Sequence, residues 1–381
     1  MRIHYVEGIS WSGGSINTYV ILKNGPLLED SIVSAPTVFL ISLAQRGLLK
    51  NSIKAAADDL KGFFQALSDH GQDWRELTDR DISGYLYGHL LKARALEEKS
   101  ILRHKTTIKM FYQHSWELGF LDAPPNFSYT YASNNLKSQG ESHKKVNFDL
   151  YNNYIAIDIF KSLLSNVAAQ SPFEKERDEL VLHIGYYCGL RTSEVTDPRN
   201  LLTADLRRLI SIADNCENIS INIPIIGKGE KLRSIDVPPR AFLQIKKFLK
   251  GSRAKISDGP LICKSNGESL SPEHATYVFR MAKIFASAKI DDVISELHNK
   301  DSYMHFVNKA SFVKLTFHSL RHTYATNLVD FCYKHGFDPW QYVPEQMGHE
   351  DEETTKAYVV FDGKLHRREK IRRALNDELD E

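Results

Sequence analysis

The stretch Thr316-Phe317-His318-Ser319-Leu320-Arg321-His322-Thr323-Tyr324-Ala325-Thr326-Asn327 constrains this chain more than any other. On a helix turning about 100° per residue, Leu320, Tyr324, Leu328 and Phe331 fall on one apolar stripe, and His318 and Arg321 stand at i and i+3 on its edge. A stripe buried in a core therefore holds two polar groups side by side. Further on, Gly348-His349 opens a segment in which Tyr358 follows His349 by nine positions, with acidic residues and two threonines between them. Each piece alone has a bland reading: a His near an Arg on a helix is usually a surface pair, and a single Tyr is usually core.

The chain has 381 residues, 42% of them hydrophobic, enough for packed cores in two or three domains. Its formal net charge of +1 gives no overall attraction for nucleic acid, so a basic surface must come from segregating Lys and Arg onto one face. Residues 228–255 are rich in both, and a basic run from Lys364 to Arg373 precedes an acidic end. Cys188, Cys216, Cys263 and Cys332 show no Cys-x-x-Cys spacing and read as reduced packing residues. No signal-peptide pattern and no apolar run near the ~18 residues of a membrane span is visible, which predicts a cytoplasmic, nucleoid-associated protein that does not enter a membrane.

Along the chain, short apolar runs broken by Gly13-Gly14 and closed by Asn24-Gly25-Pro26 predict a strand or hairpin segment over 1–30. Ile53, Ala57, Leu60, Phe64 and Leu67 recur at helical spacing up to Gly71; Thr78-Asp79 offers caps for a further helix. Residues 100–118 place Ile108, Phe111, Tyr112, Ser115 and Leu118 on one face and Arg103, Lys105 and Lys109 elsewhere. Pro124-Pro125, Gly140 and many Asn and Ser residues mark a linker over 123–150. Residues 154–164 and 174–187 read as helices, the second with Leu180, Val181, Ile184 and Cys188 as its core face and Gly189 as a left-handed stop. Strict alternation from Ile219 to Ile225 predicts a strand kept to an edge or end by Pro224, turned by Gly227-Lys228-Gly229-Glu230 and returned over 232–237. Ser271 as N-cap and Pro272 at N1 predict a helix reaching Ala286. Residues 201–214 read as an inserted helix or loop, and 287–315 have no assigned form.

The order Arg191 in Gly189-Leu190-Arg191-Thr192-Ser193-Glu194, Lys228 in Gly227-Lys228-Gly229, His318-x-x-Arg321, Gly348-His349 and Tyr358 resembles the catalytic domain of the tyrosine recombinases, the phage-integrase family. The resemblance covers about residues 35 to 365. It implies a mainly α fold with a small antiparallel β-sheet: a helical, SAM-like core-binding domain (31–122), the linker, a catalytic domain (151–365) and a tail (366–381). Residues 1–30 are too short for the arm-binding domain that many integrases carry.

Chemically, attack by a tyrosine on a phosphodiester builds negative charge on the non-bridging oxygens, so catalysis is mostly positioning and electrostatics. The planar forks of Arg191 and Arg321 suit that clamp, and His349 supplies a third donor. Tyr358 is the implied nucleophile; a phenol ionises near pH 10, and His318 is the group expected to help remove its proton. Lys228 is the implied acid for the leaving 5′ oxygen, with Lys231 its local rival. Glu194 matches an acidic family position that orients neighbours, and Arg103, Lys105 and Lys109 are candidate DNA contacts. The 3′-phosphotyrosyl bond would conserve its energy, so no cofactor is expected.

The implied partners are double-stranded DNA with inverted-repeat core sites, three further copies of the chain in a tetramer on two sites, and an accessory directionality factor. The implied setting is integration or excision of a mobile element. A type IB topoisomerase shares the same chemistry, and a non-cutting accessory protein could share the fold. No metal is expected: Glu350 to Glu353 cannot all face one ion and suit a helix N-terminus better. Gly227-Lys228-Gly229 lacks the spacing of a nucleotide-binding loop. Two departures from the family pattern are Pro344, where a helix usually continues, and Asp197-Pro198, which cuts short the helix after Arg191.

Overall fold

The computed structural model describes residues 1–11, 13–24, 31–129, 149–215, 220–349 and 351–367. Most of the expected linker, Cys216, Glu350 and the tail beyond 367 lie outside them. The fold is mainly α, with two small antiparallel sheets, and divides into the units Met1–Ser142 and His143–Glu381, each around its own core. No described helix is long and apolar enough to cross a membrane.

In the first unit, β1 (Arg2–Trp11) pairs with β2 (Gly14–Leu22), with the register interrupted between Val6 and Ile9. Tyr19 and Ile21 enter the helical core, and the Thr18 hydroxyl donates to the Leu40 carbonyl (3.0 Å) of α1 (Ser34–Gln45), so the hairpin is a wall of that core. The periodic apolar positions of α2 (Lys50–Asp69) are all buried, as their spacing predicts. Thr78 caps α3 (Asp79–Ser83) in a reciprocal box with Asp81, and a π-helical segment, Gly84–Ala93, follows.

The last helix of this unit, α4 (Glu98–Glu117), buries Ile108, Phe111, Tyr112 and Ser115. Leu118, expected on the same face, is instead the exposed C-cap residue, where the chain has already left the helix. A carboxylate inside a core must be fully bonded. Asp59 of α2 is wholly buried and is met by Arg103 (Nη2–Oδ1 2.8 Å), His104 (3.1 Å) and the Thr107 hydroxyl (3.0 Å). Arg103 is therefore engaged within the unit, whereas Lys105 is half-buried and Lys109 exposed.

The second unit runs through α5 (Asp149–Asn153), α6 (Ile157–Ser165), α7 (Pro172–Cys188), α8 (Thr192–Thr196), α9 (Thr203–Asn215), β3 (Ile221–Ile226), β4 (Leu232–Val237), α10 (Pro239–Lys250), α11 (His274–Ala286), α12 (Ile290–Lys300), α13 (Lys309–Lys314), α14 (Phe317–His335), α15 (Pro339–Met347) and α16 (Glu352–Asp362). The segment 201–214 is thus helical, and the unassigned 287–315 forms α12 and α13. The helix expected from Tyr154 starts only at Ile157, because the Ile155 amide donates to the Thr323 hydroxyl (2.8 Å) and leaves the helical path. Ser271 and Pro272 do not cap α11. They form a turn closed by the His274 amide on the Ser271 carbonyl (3.0 Å), and the helix begins at His274. Pro224 sits exposed in the two-stranded ribbon opposite Ser234 while Ile221, Ile223 and Ile225 face the core. Pro344 lies inside α15, and α8 stops before Asp197, as Asp197-Pro198 predicts.

Helices α7 and α14 form the centre. A Cβ on Gly185 would lie 2.7 Å from Leu320 Cδ1, and one on Gly189 2.3 Å from Tyr324 Cδ1, so the two helices close because α7 carries no side chain at i and i+4. Gly189 also takes φ 62°, the left-handed stop its position predicts. The apolar stripe of α14 differs from its expected course at one place. Phe331 is 46% exposed and packs on His335 and Phe337, while the neighbouring Cys332 continues the buried face. Gly185→Ala should destabilise the protein by about 1–3 kcal/mol through overpacking at this crossing. Urea denaturation of the full chain measures it, and a variant as stable as wild type would show that α14 yields without cost.

Candidate active site

A buried carboxylate gathers the site. Glu194, in the first turn of α8, is 1% exposed and accepts from the Arg191 amide (2.9 Å), from Arg191 Nη1 (2.7 Å) and from both terminal nitrogens of Arg233 on β4 (2.8 Å each). Arg321 Nη1 stands 3.9 Å away. Burial alone would raise the Glu194 carboxyl, but the bonds and charge of Arg233, the Arg191 amide and Arg321 take it down to about 2. Three guanidiniums thus share one carboxylate, which among the described residues leaves two positive charges unbalanced.

Local sequence explains each placement. The left-handed turn at Gly189 ends α7 and starts α8 with Arg191 at its N-cap, which points the guanidinium back over Glu194. Arg321 projects from the first turns of α14 into the core, 2% exposed, where it donates to the carbonyls of Gly189 (2.6 Å) and Met347. Burial first, then the neighbouring Arg191, lowers its guanidinium to about 9, still charged at neutral pH. Arg233 is clamped between two glycines: a Cβ on Gly227 would meet its Nη1 at 2.9 Å, and one on Gly348 its Cδ at 3.0 Å. It also donates to the Gln346 carbonyl (3.1 Å). Asn200 locks the same region by donating to the Glu194 and Ile226 carbonyls and accepting from the Ile226 amide.

Lys228 occupies the β3–β4 turn and is exposed. The tip beside it is held by Glu230, which accepts from Arg199 (2.7 Å). His349 follows the left-handed Gly348 at the end of α15; its Nδ1 lies 3.1 Å from the Thr355 hydroxyl, and its ring stacks on Tyr358 at 5.7 Å and 8°. Burial and the charges of Arg321, Arg191 and Arg233 hold the His349 imidazole at about 4. His318 reaches solvent yet is hemmed by protein, and that desolvation with Arg321 and Arg191 brings it to about 4 as well. Both rings are neutral at pH 7.

Tyr358 lies on α16, 4% exposed, and burial pushes its phenol up to about 12 against the pull of Arg321 and Arg191. Its hydroxyl is 2.7 Å from Nδ1 of His322, not against His318. Sequence reasoning missed His322 and Arg233. The only signal for the first was its position at i+4 from His318, on the same helix face; for the second, a basic residue on the returning strand. Tyr342 of α15 is engaged in donating to Asp236 (2.7 Å). The acidic residues before Tyr358 behave as a helix start, with Asp351 accepting from the Glu353 amide (3.0 Å). Among the described residues no group of three or more His, Cys, Asp or Glu side chains could hold a metal ion.

Residues 155–363, more than half of the chain, match the model of the phage integrase family. The chain belongs to that family. Residues 37–117 match the phage integrase N-terminal SAM-like domain. Tyrosine recombinase XerD of Proteus mirabilis is 24% identical over 319 residues, 83% of this chain and 84% of that protein. XerD of Rickettsia conorii is 24% identical over 338 residues, 88% and 96% of the two chains. Among solved structures, a lambda integrase tetramer bound to a Holliday junction shares the fold with TM-score 0.55 at 14% identity, over 88% of this chain and 78% of that one. The XerH recombinase in a post-cleavage complex with palindromic difH does so with TM-score 0.54 at 16% identity, over 91% and 85%. As a phage-integrase family member, this chain is a tyrosine recombinase, a DNA strand-exchange enzyme.

Glu194→Ala in this recombinase should cost about 3–5 kcal/mol, because it leaves buried guanidiniums facing one another. The folded carboxyl, at about 2, lies below the ordinary 4.5, so its contribution is complete above pH 4.5 and is lost as pH falls toward 2. Urea denaturation at several pH values should therefore show wild type and variant converging in acid. A constant gap would mean that the loss is one of packing.

Proposed function

We propose that this recombinase cuts and rejoins double-stranded DNA through a 3′-phosphotyrosyl intermediate on Tyr358. The observation that carries the reading is the unbalanced pair of positive charges that Arg191, Arg233 and Arg321 leave around Glu194, within electrostatic reach of a buried tyrosine. A scissile phosphate supplies the missing negative charge. Arg191 and Arg321 take its non-bridging oxygens in forked pairs. With the Thr355 hydroxyl donating to Nδ1, neutral His349 carries its proton on Nε2 and gives the third bond. His318, neutral on the same side of α14, adds polar contact without competing charge.

Lys228, at the exposed hairpin tip, protonates the 5′ oxygen as it leaves. The bond energy stays in the phosphotyrosine, so a 5′-hydroxyl from another strand reverses the step with no nucleotide cofactor. The chain works as a tetramer on two inverted-repeat core sites, a reading supported by its likeness to an integrase whose solved form is a tetramer on a Holliday junction. An accessory directionality factor would bias the exchange. Lys109, exposed on α4, and the half-buried Lys105 are its candidate backbone contacts in the first unit, with Arg103 there through its remaining exposed edge. The setting we favour is movement of a mobile element, because the 37 positions from Arg191 to Lys228, which include α9, are more than a compact family member would need.

Tyr358→Phe should abolish the covalent protein–DNA complex on a suicide substrate while site binding stays within a few fold. An adduct that survives on a denaturing gel would place the nucleophile elsewhere. Arg191→Lys and Arg321→Lys should each slow cleavage on the order of 100- to 1,000-fold, since one ammonium cannot reproduce a planar fork.

Lys228→Ala should slow cleavage of an ordinary phosphodiester roughly 100- to 10,000-fold. That defect should largely vanish when the 5′-bridging oxygen is replaced by sulfur, which leaves without a proton. Rescue of Lys231→Ala instead would move the role to that neighbour.

A further inference from the structure

The imidazole that touches the nucleophile's oxygen belongs to His322. Its Nδ1 stands 2.7 Å from the Tyr358 hydroxyl, with the two rings 5.9 Å apart and tilted by 39°. The Tyr358 ring is also held by His349, stacked almost parallel at 5.7 Å. The hydroxyl thus meets His322 with the tyrosine ring already braced. His322 stands one residue after the phosphate-facing Arg321, so α14 delivers an anion clamp and a ring against the attacking oxygen from adjacent positions.

We propose that His322 is the group that takes the proton from Tyr358 when the phenol attacks, and returns it when the strand is rejoined. With its own proton on Nε2, His322 offers a lone pair at Nδ1. As Tyr358 Oη bonds to phosphorus, its O–H bond breaks and that proton passes to Nδ1. The P–O5′ bond breaks, and the leaving oxygen receives a separate proton from Lys228. The imidazolium of His322 discharges to water, or holds its proton until the reverse attack regenerates the phenol. The inference rests on Tyr358 being the nucleophile, as set out above.

Among the described residues, two rings face His322. His318 on the same helix meets its ring edge to face at 4.6 Å, and Tyr358 faces it from α16. Arg321 and Arg191, the nearby cations, act on Tyr358 in the direction that favours its ionised form. A base is needed because burial opposes ionisation of that phenol, leaving almost none of it as phenolate near neutral pH. His318 and His349 are held at about 4, which makes both rings weak proton acceptors near pH 7, whereas the ring bonded to the Tyr358 hydroxyl is that of His322.

The test measures single-turnover cleavage of suicide DNA against pH for wild type, His322→Ala and His322→Gln, with site binding followed in parallel. Wild type should show an acid limb that depends on His322. His322→Ala should be slowed roughly 100- to 10,000-fold, lose that limb, and recover with added imidazole in proportion to the buffer's free base. His322 is half-buried, so the space left by truncation is open to a small molecule. His322→Gln, which can still bond the hydroxyl but cannot take its proton, should be as slow as the alanine variant. Near-wild-type cleavage by His322→Gln would overturn the proposal in favour of mere positioning, as would an alanine variant that binds DNA, retains the acid limb and ignores imidazole. A wild-type protein that forms no adduct on Tyr358 would overturn the nucleophile assignment and this inference with it, an outcome distinct from the two that concern His322 alone.

Discussion

The site depends on one buried carboxylate being outnumbered. Glu194 by itself could neutralise a single guanidinium, yet Arg191, Arg233 and Arg321 converge on it from α8, β4 and α14. Removing charges from water is costly, and the cost is offset when each charge finds a partner. Among the described residues, the partners here fall two carboxylates short. The protein tolerates the excess because Arg321 is also bonded to two main-chain carbonyls and Arg191 keeps part of its surface in water. An anionic group entering the site would complete an arrangement that folding has left short of negative charge, and the phosphate of the proposed mechanism is such a group.

The close crossing of α7 and α14 is what brings those charges together. Glycines at 185 and 189 remove the side chains that would keep the helices apart, and the Gly189 carbonyl becomes an acceptor for Arg321. Packing and electrostatics are therefore not separate layers in this unit. The apolar stripe from Phe317 through Leu320 and Tyr324 sets the rotation of α14, and that rotation aims Arg321 inward and His322 toward Tyr358.

Much of this was legible from spacing. The helix carrying Ile53 to Leu67, the left-handed stop at Gly189 and the ribbon around Lys228 follow from periodicity or from turn chemistry that acts over a few residues, and the order of motif residues was legible through the family resemblance. The differences arose where distant contacts decide. The Ile155 amide leaves its helix for Thr323, a partner 168 positions away, and no local pattern announces that. Arg103 looked like a surface cation on α4 because its carboxylate partner lies on α2. Arg233 resembled any residue of a basic hairpin, since what distinguishes it from Lys231 is the pair of glycines it passes between. His322 was overshadowed by its neighbour Arg321, and only the packing of α16 against α14 shows which ring the tyrosine meets.

That clamp on Arg233 has a mechanical side. The guanidinium is bonded to Glu194 and to the Gln346 carbonyl, and its stem is pinned against Gly227 and Gly348, the residues immediately before Lys228 and His349. Asp236, farther along the same strand, takes bonds from Tyr342 and Gln346 of α15. The ribbon that carries the lysine and the turn that carries the histidine are consequently joined through one side chain. Lys228 and His349, to which the proposed mechanism gives separate roles, are thus tied through one residue, Arg233, to which it assigns no bond with the DNA.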